Sequence, residues 1–108
     1  MTLFAVTRHA GPAWAAGGIY DQPDVNDHAA FMSALADGGV ILLGGPLAGT
    51  ETGRVRVLLI VDAESEAEIQ RLFADDPWTR TGQLRIASIE PWKILAGKAP
   101  EWLRLAPP

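Results

Sequence analysis

Hydrophobic positions fall along this chain in two rhythms. Four short runs are dense in β-branched and aliphatic residues: 2–7 (TLFAVT), 40–46 (VILLGGP), 54–61 (RVRVLLIV) and 84–89 (LRIASI). Runs of that length bounded by Gly, Pro and polar turns predict strands. Two other segments repeat at helical spacing. His28, Phe31, Met32 and Leu35 stand at i, i+3, i+4 and i+7, which predicts a helix capped by Asn26 and stopped at Gly38-Gly39. A second helix is predicted from Ser65, with Glu68 three residues on as a capping box, burying Ile69, Leu72 and Phe73. It should end at Asp75-Asp76-Pro77-Trp78, because Pro77 disfavours helix at Asp76 and cannot continue one.

The order β-α-β-β-α-β predicts an α+β ferredoxin-like sandwich, an antiparallel sheet with both helices on one face. The first three strands are apolar on both faces: Leu3 to Val6, Val40 to Leu43 and Val57 to Val61. An antiparallel sheet with one wet face should alternate instead. A second copy of the same sheet is the simplest cover, so a homodimer packed sheet to sheet is expected. The chain reads as one domain over 1–95 and a C-terminal tail over 96–108. Trp92, Trp102 and Leu103 are expected to add to the interface. The loop 10–26 is long for so small a domain, and it carries Trp14 and Tyr20, which could close over a ligand.

Composition narrows the partners. The net charge of −4 with no basic cluster argues against nucleic acid. There is no cysteine, which removes disulfides and thiolate chemistry. No apolar run is long enough to span a bilayer, and the N-terminus lacks a signal-peptide pattern, so a cytoplasmic protein without membrane contact is expected.

Topology then gathers the polar candidates at one end of the sheet: Arg8 and His9 closing the first strand, His28 opening the first helix, Gly44-Gly45-Pro46 closing the second strand, and Asp75-Asp76 after the second helix. Asp76 lies seven residues beyond Ile69, in line with the buried stripe of the second helix, and His28 leads the stripe of the first. A carboxylate behind an imidazole fixes its tautomer and raises its basicity, the arrangement of a general base. Blander readings exist for both: His28 as a histidine bonded to a nearby carbonyl, and Asp76 as an Asp-Pro cap on a short turn. Stripe position favours Asp76 over Asp75. The glycines at 44 and 45 would let a ligand approach the backbone, but phosphate-loop spacing is missing. Ser65 and Ser88 have no adjacent base, and nothing supports a metal site.

Three motifs in order, DHAAFMSALADGGVILLGGPL, DAESEAEIQRLFADDPW and GQLRIASIEPWKI, resemble the YciI-like (YCII-related) family from the first strand to Trp92. The resemblance implies a dimeric α/β-barrel of ferredoxin-like subunits, with an active site on a histidine early in the first helix and an aspartate in the Asp-Pro after the second helix: His28 and Asp76. One branch of that family eliminates chloride from a chlorinated hydroxyhydroquinone. The chain departs from the family pattern in its Gly- and Trp-containing loop and its tail.

Two readings result. The first is a cofactor-independent lyase- or isomerase-type enzyme acting on a small cyclic or aromatic metabolite. His28 and Asp76 would be catalytic, and Arg8, His9, Trp14, Tyr20, Gly44, Gly45 and Pro46 would contact substrate. The second is a non-catalytic dimeric ligand-binding or accessory domain. Access separates them, because a catalytic pair needs a cavity. An oxygenase of the wider barrel group is a minor third.

Overall fold

The computed structural model describes residues 2–97. The expectations placed on Trp102 and Leu103 lie outside the described residues. Strand β1 (Leu3–Ala10) is followed by helix α1 (Val25–Asp37) and the hairpin β2 (Ile41–Pro46) and β3 (Arg56–Asp62). Helix α2 (Glu66–Phe73), the short helix α3 (Pro77–Thr81) and β4 (Leu84–Pro91) complete the order. The sheet runs β2-β3-β1-β4, antiparallel throughout. This is the ferredoxin-like arrangement, with the short α3 added before β4.

Strand periodicity sets the two faces. Phe4, Val6 and Arg8 of β1 and Val57, Leu59 and Val61 of β3 point to the helices. Ile69 and Phe73 of α2 are fully buried on this face, and Phe31, Met32 and Leu35 of α1 pack beside them. A buried side chain of this kind contributes about 1.5–3 kcal/mol. No residue of α1 is fully buried. Its stripe rests partly on core and partly on the edge of a cavity, which is why a histidine is tolerated there.

Helix ends follow local chemistry. The Ser65 hydroxyl accepts the Glu68 N–H at 3.1 Å, as the capping box predicts. After α1, Val40 N–H bonds Leu35 O and Gly39 N–H bonds Ala36 O. That pair of bonds is a Schellman stop, and it needs Gly39 at φ +81°. The start of α1 differs from expectation. Asp24, not Asn26, is the N-cap, in the left-handed region at φ 60° with no side-chain cap bond. The two extra residues at the start let Val25 pack on a second cluster of Val55, Trp78 and Leu84.

Strand β1 also runs three residues further than the hydrophobic run suggests, because β4 continues to pair with Arg8, His9 and Ala10. The loop before α1 is organised rather than open. The side chain of Gln22, 3% exposed, accepts from Ala15 N–H and donates to Ala15 O and Gly18 O. Its start is clamped to the end of α3 by Gly11 N–H to Gln83 O and Ala13 N–H to Gly82 O. No helix among the described residues is long and apolar enough to cross a membrane.

Candidate active site

The site is centred on Asp76. The residue sits between α2 and α3 with extended backbone (φ −63°, ψ 128°), the conformation Pro77 imposes on its predecessor. Its position on the stripe of α2 is therefore corrected: α2 ends at Phe73, and Asp76 is the N-cap of α3. Oδ1 accepts the Trp78 backbone N–H at 3.0 Å. The carboxylate thus faces the favourable end of a helix. The capping reading and the pairing reading both hold, because one carboxylate has lone pairs enough for both.

Three groups converge on this fully buried carboxylate. Arg8 Nη1 donates to Oδ2 at 2.6 Å, and His28 Nδ1 lies 2.9 Å from Oδ1 and 3.0 Å from Oδ2. Trp78 N–H completes the set. Burial by itself pushes the Asp76 carboxyl up. The hydrogen bonds from His28 and Arg8, the charge at His28 and the Trp78 amide outweigh it and hold Asp76 below its ordinary 3.8. Asp76 is consequently an anion at neutral pH, and Nδ1 of His28 is the nitrogen that donates to it. The other ring nitrogen, Nε2, makes no hydrogen bond to protein among the described residues. In the neutral ring, Nε2 is the nitrogen that carries the lone pair.

Trp78 fixes the plane of that ring. Its indole stacks on the His28 imidazole at 3.9 Å between centroids and 6° between planes. The indole N–H donates to Pro23 O at 2.7 Å, and Trp14 meets the same ring edge-on at 6.0 Å. Arg8 has a parallel job for Asp76. Its Nη2 donates to Thr79 Oγ1 at 2.8 Å and its guanidinium lies 5.3 Å over the Phe73 ring.

A cavity of about 480 Å³ opens beside the pair, between α1 and the β2–β3 side of the sheet. That is within the range of small-molecule sites. His28, Trp14, Gly44, Gly45 and Pro46 line it, as expected from sequence, with Met32 and Ser33 from α1 and Trp78 from α3. Arg8 borders the cavity too; it is 0% exposed, and its terminal nitrogens hold Asp76 and Thr79, so it positions the carboxylate. Two expected contacts lie elsewhere. His9 alternates to the opposite sheet face, the necessary consequence of Arg8 pointing inward. Tyr20 is 85% exposed and does not border the cavity. Trp78 and Thr79 were not singled out in the sequence. The available signal for Trp78 was an aromatic placed two residues after the capping aspartate.

Among the described residues, no three His, Asp or Glu side chains converge as a metal site requires. What the arrangement offers is a single oriented base beside a largely apolar chamber.

Comparison with known proteins gives a family and a structural relative. The solved structure of 5-chloro-2-hydroxyhydroquinone dehydrochlorinase (TftG) from Burkholderia phenoliruptrix AC1100, in complex with 2,5-dihydroxybenzoquinone, is similar to this chain with a TM-score of 0.54 and 26% identity. The match covers 88% of this chain and 95% of that one. No curated protein matches the sequence significantly. The model of the YCII-related domain matches residues 3–93, nearly the whole described fold, and the chain belongs to the YCII-related family.

Proposed function

We propose that this protein is a cofactor-independent enzyme in which His28 moves a proton on a small hydroxylated ring, driving an elimination or an isomerisation. The observation that carries the reading is His28, paired with Asp76 at 2.9 Å, on the wall of a cavity large enough for such a ring. Neutral His28, with Nδ1–H held by Asp76, presents Nε2 as the base. On taking a proton it becomes an imidazolium, which the Asp76 anion stabilises without itself being protonated. Arg8 keeps Asp76 ionised, and the stacked Trp78 restrains the ring in either protonation state. General-base assistance of this kind is typically worth about 10²–10⁴ in rate.

For a chlorinated trihydroxybenzene, the chemistry in the relative's name balances without a cofactor. One ring hydroxyl gives up its proton as the chlorine-bearing carbon gains one, forming a keto tautomer. A second hydroxyl proton then goes to the base as chloride leaves. The net loss is HCl, and the product is a hydroxyquinone.

The test is chloride release from 5-chloro-2-hydroxyhydroquinone and binding of 2,5-dihydroxybenzoquinone, read by tryptophan fluorescence and by the His28 ring signals. Wild type should release chloride and His28→Asn should not, while both bind the quinone. Turnover that survives His28→Asn, or quinone binding that leaves the His28 ring unmoved, would overturn the proposal. Binding at His28 without turnover of any hydroxylated ring favours the ligand-binding domain, a reading that the capping and ion-pair roles of Asp76 also support.

The protein is further proposed to act as a homodimer through the sheet face away from the helices. Leu43 and Trp92 are 53% and 43% exposed there, beside half-buried Ala5 and Leu58.

A further inference from the structure

The cavity beside His28 is larger than a single ring requires. A cavity of roughly 150 Å³ is enough to hold benzene, whereas this one measures about 480 Å³. It is a groove between α1 and the sheet, and its lining can be ordered along both walls. On α1, His28, Met32, Ser33 and Ala36 border it. Eight residues of helix at 1.5 Å each put Ala36 about 12 Å from His28 along the axis. On the floor, Ile41, Gly44 and Pro46 of β2 pair with Val61, Leu59 and Val57, so they share the face turned to the helices. Only residues 38–40 separate the end of α1 from the start of β2. Ala36 and Ile41 therefore mark one end of the groove, and His28 and Pro46 the other.

Chemistry changes along its length. His28 and Arg8 bring their polar groups to one end. Beyond them the lining is Met32, Ala36, Ile41, Leu42 and Leu43, with Ser33 the one polar side chain. Gly44 keeps the floor open between the two ends. A Cβ there would press on the side chain of Leu59, which is itself part of the lining.

We infer that the substrate is a hydroxylated ring carrying an apolar substituent, with the ring's oxygens at His28 and the substituent laid along the groove toward Ala36 and Ile41. The inference rests on the proton-transfer reading of His28 and adds the shape of what that site takes. A charged or strongly polar substituent is disfavoured, because a single hydroxyl would replace the water it sheds. An apolar one gains by leaving water, at about threefold in affinity for each methylene buried.

Titration calorimetry of the full chain tests it, with 2,5-dihydroxybenzoquinone and its 3-propyl and 3-hexyl derivatives on wild type and Ala36→Trp. Ala36 is exposed on α1, so the fold is expected to survive the change, with circular dichroism as the check. Ala36→Phe supplies the same block should the tryptophan disturb the helix. The quantity read is the ratio of hexyl to parent affinity. Wild type should give about thirtyfold or more, since part of the chain stays open to water. The substitution should cut that ratio by about tenfold, because the far end of the groove is filled. A ratio near one in wild type, or a gain that Ala36→Trp and Ala36→Phe leave intact, overturns the groove. If the parent ring still moves the His28 ring signals in that case, the proton-transfer reading stands. If no member of the series binds, both fall.

Discussion

Asp76 closes hydrogen-bonded contacts with three residues from a position fully removed from water, and each residue has a separate physical consequence. Arg8 neutralises it, Trp78 N–H ties it to α3, and His28 spans both its oxygens. Removing the charge while leaving the Arg8 guanidinium buried should be costly: Asp76→Ala is expected to lower stability by about 3–5 kcal/mol, measured as a shift in the urea unfolding midpoint. The pH dependence has a definite sign. Because the folded carboxyl titrates below its ordinary 3.8, the unfolded chain binds the proton more readily. The stabilisation is therefore complete above that value and is lost as pH falls through the folded one. Unfolding midpoints of wild type should drop in that acid window, and Asp76→Asn should lack this component. Trp78 separates stacking from anchoring. Trp78→Phe keeps an aromatic face against His28 but loses the bond to Pro23 O, whereas Trp78→Ala should cost about 3–5 kcal/mol by calorimetry through the cavity it leaves. The His28–Asp76 pairing was legible in the sequence, though by way of an α2 stripe that stops too soon. Arg8 was legible in principle: alternation from Phe4 through Val6 puts position 8 in the core, where an arginine demands an anion.

At the scale of elements, the caps were the most readable features because they depend on a few adjacent residues. Ser65 and the Gly38-Gly39 stop both appear where the sequence puts them. Ser65→Ala should cost about 1 kcal/mol, and Gly39→Ala a similar amount for placing a side chain at positive φ; thermal melts check both. Gly11 was not foreseen. A Cβ there would run into the Gly82 carbonyl oxygen, a backbone atom held by its own bond from Ala13 N–H. Gly11→Ala should therefore separate the loop from α3, readable as faster amide exchange at Ala13 and Trp14. Such long-range closures leave no local pattern. Neither does the shift of the α1 start to Val25, which is decided by packing against Trp78 and Leu84, more than fifty residues away. The β1 extension has the same origin, in pairing with β4.

At the scale of the whole molecule, the fold brings residues 48 positions apart into one hydrogen bond and sets a cavity beside it. The order of elements and the two-faced strands were enough to anticipate the sandwich and the end where the site forms. They could not show that β1 divides its two last polar residues between opposite faces, Arg8 to the carboxylate and His9 to the open sheet. In the proposed reading, that division leaves the helix side of the sheet for chemistry and the other for association. The central claim is that His28 is a base with one nitrogen committed to Asp76 and the other free toward the cavity. The most direct measurement is the ¹⁵N spectrum of the His28 ring in the intact protein with the imidazole neutral. The arrangement predicts one tautomer, with the proton on Nδ1 and a lone pair on Nε2. A ring protonated on Nε2, or one averaging freely between tautomers, would contradict it.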